Sequence, residues 1–225
     1  MSVFQPNLTS RLILQQAVKI EESLGDKWLE VGAGSGWITS EFRRLSDRTS
    51  RTYSISDISS EAISLALELH EWLSPGSARV GSGLDPWEGE EFDVIVNDIA
   101  GISDPLAKVS NWYAGVTCDA GRDGLGNVKG VLKKLREQLV PSGVYIVPLI
   151  SLSDYSTHIE LLEDTFMEVT VSDKKFWPLP DHIVQNNSLL NDLALENCIE
   201  VLEKYGKLLA WTAVAVARKP YSPLK

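Results

Sequence analysis

Three glycines at alternate positions, Gly32, Gly34 and Gly36, constrain the fold of this chain more than any other feature. A β-rich run, Lys27–Val31, precedes them, and a helical pattern at 36–45 follows. Glycines between a strand and a helix let the backbone turn sharply and approach a ligand closely. The segment therefore predicts a βα unit whose loop binds a small molecule.

The same alternation of short β-rich runs and helical patterns continues along the 225 residues. It predicts an α/β fold with a mostly parallel, Rossmann-like sheet of about seven strands, an antiparallel last strand and helices on both faces. The length suits one domain, 1–225, with a helical N-terminal segment at 1–25. An insertion at 172–206 is predicted to contain a helix at 191–204 and to act as a substrate lid. Strands are predicted at 27–31, 51–56, 78–80, 92–96, 144–147, 167–171 and 208–217, and helices at 10–24, 36–45, 59–73, 127–139 and 159–165.

Charge and cysteine content narrow the function classes. The chain has 21 basic and 31 acidic residues and a net charge of −10, which repels phosphate backbones and disfavours duplex nucleic acid as a partner. Cys118 and Cys198 form no Cys-x-x-Cys pair and the three histidines lie far apart, so no metal site is predicted. The start resembles no signal peptide, and the longest apolar run, at 208–217, is shorter than the roughly 20 residues of a membrane span. A cytoplasmic protein without a membrane partner is predicted.

The spacing of the glycines and two acidic residues indicates the kind of ligand. A dinucleotide fold uses G-x-G-x-x-G, but here Trp37 occupies the place of the third glycine. Asp57, at the end of the second predicted strand, can accept hydrogen bonds from both ribose hydroxyls, or it can simply begin the next helix. Glu30 is a candidate partner for an amino group, or else a surface charge. A nucleoside ligand other than a dinucleotide is favoured.

The segment 29–36 resembles motif I of the methyltransferases that use S-adenosylmethionine (AdoMet). The resemblance implies AdoMet as the cofactor and a contact between Glu30 and its methionine end. It also implies contacts of Asp57 with the ribose, and of Ile58 and Ser82 with the adenine. The cofactor-binding residues predicted in this way are Glu30, Gly32, Ala33, Gly34, Gly36, Asp57, Ile58, Ser82 and Asn97.

Further segments resemble the HemK-type glutamine methyltransferases, a class I family that also includes small-substrate N-methyltransferases. They are the run 53–62, the Gly-Arg-Asp-Gly-Leu segment at 121–125, the turn at 139–144, and Pro6 with Ser10 near the start. The resemblance runs from about residue 4 to residue 148. It implies methyl transfer to a nitrogen, less favourably an oxygen, of a protein side chain or a small molecule.

The chain departs from that family after the fourth strand. The family has Asn-Pro-Pro-Tyr, where the Asn and the next carbonyl hold a planar nitrogen and the Tyr stacks on the substrate; this chain has Asn97-Asp98-Ile99-Ala100. Asn97 keeps an amide oxygen that accepts hydrogen bonds. Asp98 can take a proton from an amine or oxygen nucleophile, or it can cap a turn. Both are predicted catalytic residues. Trp112 or Tyr113 is a candidate to replace the stacking Tyr, or both are ordinary core or surface aromatics.

Two other functions remain open on the sequence. The altered motif at 97–100 fits a non-catalytic, AdoMet-binding regulatory module. A nicotinamide-dependent oxidoreductase would share the glycine loop and Asp57, although Trp37 argues against it.

Overall fold

Nine strands form one sheet in the computed structural model, which describes residues 6–99, 101–112 and 118–221. The main path runs in the order β3-β2-β1-β4-β5-β9-β6, parallel from β3 to β5 and antiparallel where β9 meets β5 and β6. This confirms the predicted α/β class and the antiparallel last strand. The strands are β1 Lys27–Val31, β2 Thr52–Asp57, β3 Ala78–Val80, β4 Phe92–Asn97, β5 Leu139–Ile150, β6 Phe166–Val171, β7 Lys175–Pro178, β8 Leu202–Lys204 and β9 Lys207–Pro220.

Some of the helices begin where a short polar side chain caps them. Asn7 accepts a hydrogen bond from the Ser10 amide, and Ser59 accepts one from the Ala62 amide, which satisfies amides that a helix start leaves unpaired. Among the described residues, no helix is both long and apolar enough to cross a bilayer. The α-helices are α1 Leu8–Lys19, α2 Trp37–Leu45, α3 Ser60–Leu69, α4 Asp104–Val109, α5 Gly126–Gln138, α6 Tyr155–Glu163, α7 Asp181–Val184 and α8 Asn187–Leu195.

Side chains that alternate along the strands form a core on each face of the sheet. In β4, Val94 and Val96 pack with α1 and α2, whereas Ile95 packs with α5 and α6. Successive residues of a strand point to opposite faces, so a strand that is apolar at every position must be covered on both sides. The core on the α1 side contains Trp28 stacked on Phe42, with ring centroids 4.3 Å apart. Both faces of the sheet are thus covered, as predicted.

The insertion at 172–206 extends the sheet rather than forming one long helix. The predicted helix at 191–204 is wrong in its second half, because α8 ends at Leu195 and β8 pairs with β9 through a hairpin. Tyr205 and Gly206 both have positive φ (55° and 67°), the backbone that a tight hairpin turn requires. With β7 and β8 added to the path, the sheet exceeds the seven strands predicted. None of the insertion's residues lines the large cleft described below.

Candidate active site

A cleft of about 590 Å³ opens at the carboxyl ends of the parallel strands. It lies where the chain leaves β1 and β4, which are neighbours in the sheet. From β1 the chain continues to β2 on one side, and from β4 it continues to β5 on the other side. Ligands of open α/β sheets bind at such switch points. The cleft is within the roughly 300–1,000 Å³ range of small-molecule sites. Residues from α1 and α5 complete its walls.

The glycine loop lines this cleft through Gly32 and Gly34, whereas Gly36, also predicted to bind the cofactor, does not line it. Gly32, Gly34 and Gly36 have φ of 71°, 54° and 72°, the left-handed region that other residues rarely adopt. A Cβ on Gly32 would lie 2.8 Å from the backbone nitrogen and Cα of Ile99, so the loop passes directly against the segment after β4. Gly32 is therefore required both by the turn and by a close backbone contact, whereas Gly34 and Gly36 are favoured by their left-handed backbone.

Replacing Gly32 with alanine is expected to destabilise the protein more than the left-handed backbone alone explains. The backbone accounts for roughly 1–2 kcal/mol, and the contact with Ile99 adds to it. Gly89→Ala is a matched control, because Gly89 has φ of 82° but nothing within 4 Å of a new Cβ. Urea unfolding of both variants measures the difference. Equal losses of stability would contradict the close contact.

Asp57 links the glycine loop to the start of α3. One carboxylate oxygen accepts a hydrogen bond from the Gly34 amide at 2.8 Å, and the other accepts one from the Ser59 amide at 2.9 Å. The residue therefore holds the turn between β2 and α3, whose N-cap is Ser59, and also lines the cleft. Each carboxylate oxygen accepts more than one hydrogen bond, so both remain able to receive a ribose hydroxyl.

Glu30 is a buried acid, with a relative exposure of 1%, and the alternative of a surface charge is wrong. Its Oε2 accepts hydrogen bonds from the amide and the hydroxyl of Thr39, and no described donor reaches its other oxygen. Burial raises the pKa of Glu30 to about 8; the Thr39 hydrogen bonds oppose the shift, and the charges of Asp98 and Asp57 add to it. Such a carboxyl group would be stabilised in its ionised form by a cation in the cleft.

The two predicted catalytic residues face different surroundings. Asn97 is buried and donates to the Tyr145 hydroxyl at 2.7 Å, while its oxygen accepts from the Ile99 amide at 2.9 Å. It does not line the large cleft. Asp98 does, and its Oδ2 accepts a hydrogen bond from the Ser10 hydroxyl at 2.7 Å. Burial raises the pKa of Asp98 to about 7, against the effect of the Ser10 hydrogen bond. The end of β4 therefore presents a carboxyl group, not an amide, to the cleft.

The remaining predicted residues differ in position. Ala33, Ile58 and Ser82 line the cleft, with Ile58 64% exposed at its mouth. Trp112 packs instead on Trp177 and His182, with ring centroids 5.9 and 6.3 Å away. Tyr113 and Ala100 lie outside the described residues. The described ranges contain no cluster of three or more potential metal ligands.

Several residues at the cleft were not predicted. From α1 and its cap come Asn7, Thr9 and Ser10; Asp119, Lys133 and Ile150 line other parts of the wall. The resemblance at Pro6 and Ser10 was the one signal that pointed to α1. The basic stretch at 133–136 gave no such signal, because its pattern is that of a solvated helix face.

Comparison with known proteins identifies the fold. No protein-family model and no curated protein matches the chain. Among solved structures, ribosomal protein L11 methylase from Lactobacillus delbrueckii subsp. bulgaricus is 14% identical over 95% of this chain and 80% of its own, with a TM-score of 0.53. The N-methyltransferase NodS from Bradyrhizobium japonicum WM9, in complex with S-adenosyl-L-homocysteine, is 14% identical over 97% of this chain and 91% of its own, with a TM-score of 0.54. The chain has the Rossmann-like methyltransferase fold.

The fold alone leaves the reaction undecided. A probable spermidine synthase from Corynebacterium glutamicum is equally similar, with 12% identity over 93% of this chain and 63% of its own and a TM-score of 0.55. One fold serves several reactions, so the function must be argued from the residues of the site.

Proposed function

We propose that this protein is an AdoMet-dependent methyltransferase that transfers a methyl group to nitrogen. The observation that carries the proposal is the position of Glu30, a buried acid beside a glycine loop that Asp57 holds in place. AdoMet bears a sulfonium, an ammonium and a ribose diol, and a carboxylate-lined cleft complements all three. A nicotinamide dinucleotide instead carries a pyrophosphate, which such a cleft would repel.

In this proposal the predicted residues that line the cleft have distinct tasks. Glu30 would hold the ammonium group of the methionine end, and Asp57 the ribose hydroxyls. Gly32, Ala33 and Gly34 let the loop backbone approach the ligand, and Gly36 turns the chain into α2. Ile58 and Ser82 would flank the adenine. The sulfonium supplies an activated methyl group, so the protein contributes mainly position and orientation. Asp98 lines the same cleft and would face the methyl acceptor.

Nitrogen is favoured by the sequence resemblance to N-methyltransferases, and the acceptor is a small molecule or a protein side chain. One observation favours the alternative of a non-catalytic AdoMet-binding module. The amide of Asn97, which the resembling family uses to hold its substrate, points to Tyr145 instead of into the cleft. That module would bind the cofactor but release no methylated product.

Thermal unfolding with S-adenosylhomocysteine, and separately with NAD, tests the proposed cofactor. A ligand at 100 times its dissociation constant adds about 2.7 kcal/mol, which for a domain of this size raises Tm by roughly 5–10 °C. We expect that shift with S-adenosylhomocysteine alone. Asp57→Asn, which keeps an oxygen for one backbone amide, should reduce it by more than half. A shift with NAD only, or an undiminished shift in Asp57→Asn, would contradict the proposed site.

A further inference from the structure

The acceptor side of the cleft carries a carboxyl group where the resembling family carries an amide clamp. Asn97 uses its NH₂ group on Tyr145 and its oxygen on the Ile99 amide, so both ends of this side chain are engaged within the protein. Asp98, the next residue, lines the cleft and is held through one oxygen by Ser10. A planar amide nitrogen would therefore find no clamp from Asn97, whereas a cationic group would meet a carboxylate.

Building on the proposed function, we infer that the acceptor is a basic aliphatic amine, which enters the cleft as an ammonium ion and loses a proton to Asp98. The inference concerns the class of nitrogen, which the proposed function leaves open.

The acidic groups around the cleft favour a cationic acceptor, because a nearby cation stabilises the ionised form even of Glu30 and Asp98, whose pKa values burial raises. Glu30, Asp57, Asp85, Asp98 and Asp119 line it, against two lysines on α5. One of these lysines, Lys134, is paired with Asp85 at 2.7 Å. A cleft with an excess of carboxylates attracts cations and repels anions.

A proton acceptor is needed because an ammonium ion has no lone pair. The Asp98 carboxylate takes one proton from the ammonium and becomes a neutral acid. The free amine then forms a nitrogen–carbon bond to the methyl group as the carbon–sulfur bond breaks and its electron pair stays on sulfur. The nitrogen carries the resulting positive charge, and the sulfur becomes neutral.

The surroundings of Asp98 suit this step. A carboxyl group with a pKa of about 7 is a stronger base than one at 3.8, and so better matched to an ammonium proton. An amide nitrogen has no ammonium proton to lose, and an alcohol is a weaker acid than an ammonium ion, so this base removes its proton less readily. The Ser10 hydroxyl, itself buried, keeps the carboxylate in one orientation.

Binding of two cofactor analogues tests the inference without knowledge of the acceptor. Sinefungin carries an amine in place of the methyl sulfonium of AdoMet, whereas S-adenosylhomocysteine has a neutral sulfur there. Calorimetric titration of the full chain should show that sinefungin binds at least tenfold more tightly. Asp98→Asn should reduce that preference to less than threefold and change the affinity for S-adenosylhomocysteine little. Asp173→Asn, which removes an exposed carboxylate outside the cleft, should preserve the preference.

The outcomes separate this inference from the proposed function. If neither analogue binds, the proposed function itself fails. If both bind equally, or if sinefungin keeps its preference in Asp98→Asn, the cofactor assignment stands and the role of Asp98 as partner of a cationic amine is overturned.

Discussion

Glu30→Gln is expected to stabilise the unliganded protein at pH 8 and to weaken its binding of S-adenosylhomocysteine. In the folded protein the pKa of Glu30 is raised from 4.5 to about 8, so the folded state holds a proton that the unfolded state has released. Stability is therefore lost as pH rises from about 4.5 towards 8. The loss for Glu30 is on the order of 4 kcal/mol at pH 8. Glutamine cannot ionise and keeps an oxygen for the two Thr39 donors.

Ligand binding should change in the opposite sense: Glu30→Gln should weaken the affinity for S-adenosylhomocysteine although it stabilises the unliganded protein. Without its charge, residue 30 no longer pairs with an ammonium group, and we expect about a 30-fold loss of affinity, or roughly 2 kcal/mol. Urea unfolding at pH 5 and pH 8 measures the stability, and calorimetric titration measures the binding. Glu22→Gln, at an exposed position, should change neither. A variant that is less stable at pH 8 and binds the ligand normally would show that Glu30 has a purely structural role.

His158 is expected to make the protein sensitive to acid. It is 2% exposed, its Nε2 has no hydrogen-bond partner among the described residues, and burial lowers its pKa from 6.5 to about 4. For a base with a lowered pKa the unfolded state binds the proton first, so stability is complete above about pH 6.5 and falls towards pH 4. The expected loss is about 3 kcal/mol.

Comparison with His158→Leu isolates this contribution, since the other titrating groups are common to both proteins. Leucine has a similar volume and does not titrate, so the variant should lose about 3 kcal/mol less than the wild type between pH 7 and pH 4. Urea unfolding at several pH values gives both curves. Parallel curves would mean that His158 is protonated as easily in the folded as in the unfolded protein.

Strands whose ends are marked by nearby glycine or proline were predicted well from the sequence. For β1 and β3 both ends agree with the prediction, at 27–31 and 78–80, because glycine or proline lies close to them in the sequence. Strand β5 was predicted at 144–147 but spans Leu139–Ile150. Its extra length comes from pairing with β4 and β9, which are contacts between distant parts of the chain. The short strands β7 and β8 were missed for the same reason, since among the described residues each pairs with β9 alone.

The residues of the site likewise divide into those that local sequence predicts and those that depend on contacts between distant parts of the chain. Residues that end strands at one edge of the sheet were predicted to lie together, and Glu30, Asp57 and Asp98 do line one cleft. Ser10 contacts Asp98 across 88 positions of sequence, and no local pattern predicts such a contact. The orientation of Asn97 depends in a similar way on the hydroxyl of Tyr145. The motif thus gave the position of the site, whereas the packing of distant elements decided which side chains face it.

The most direct test of the central claim is transfer of label from methyl-labelled AdoMet to an acceptor in cell extract. Purified protein should release S-adenosylhomocysteine in equal amount to a labelled product, and that product should be cationic at neutral pH. Asp98→Asn should lower the rate at least 100-fold while the protein still binds S-adenosylhomocysteine. Tight binding of S-adenosylhomocysteine with no labelled product in any fraction would contradict the account and indicate a cofactor-binding module instead of an enzyme.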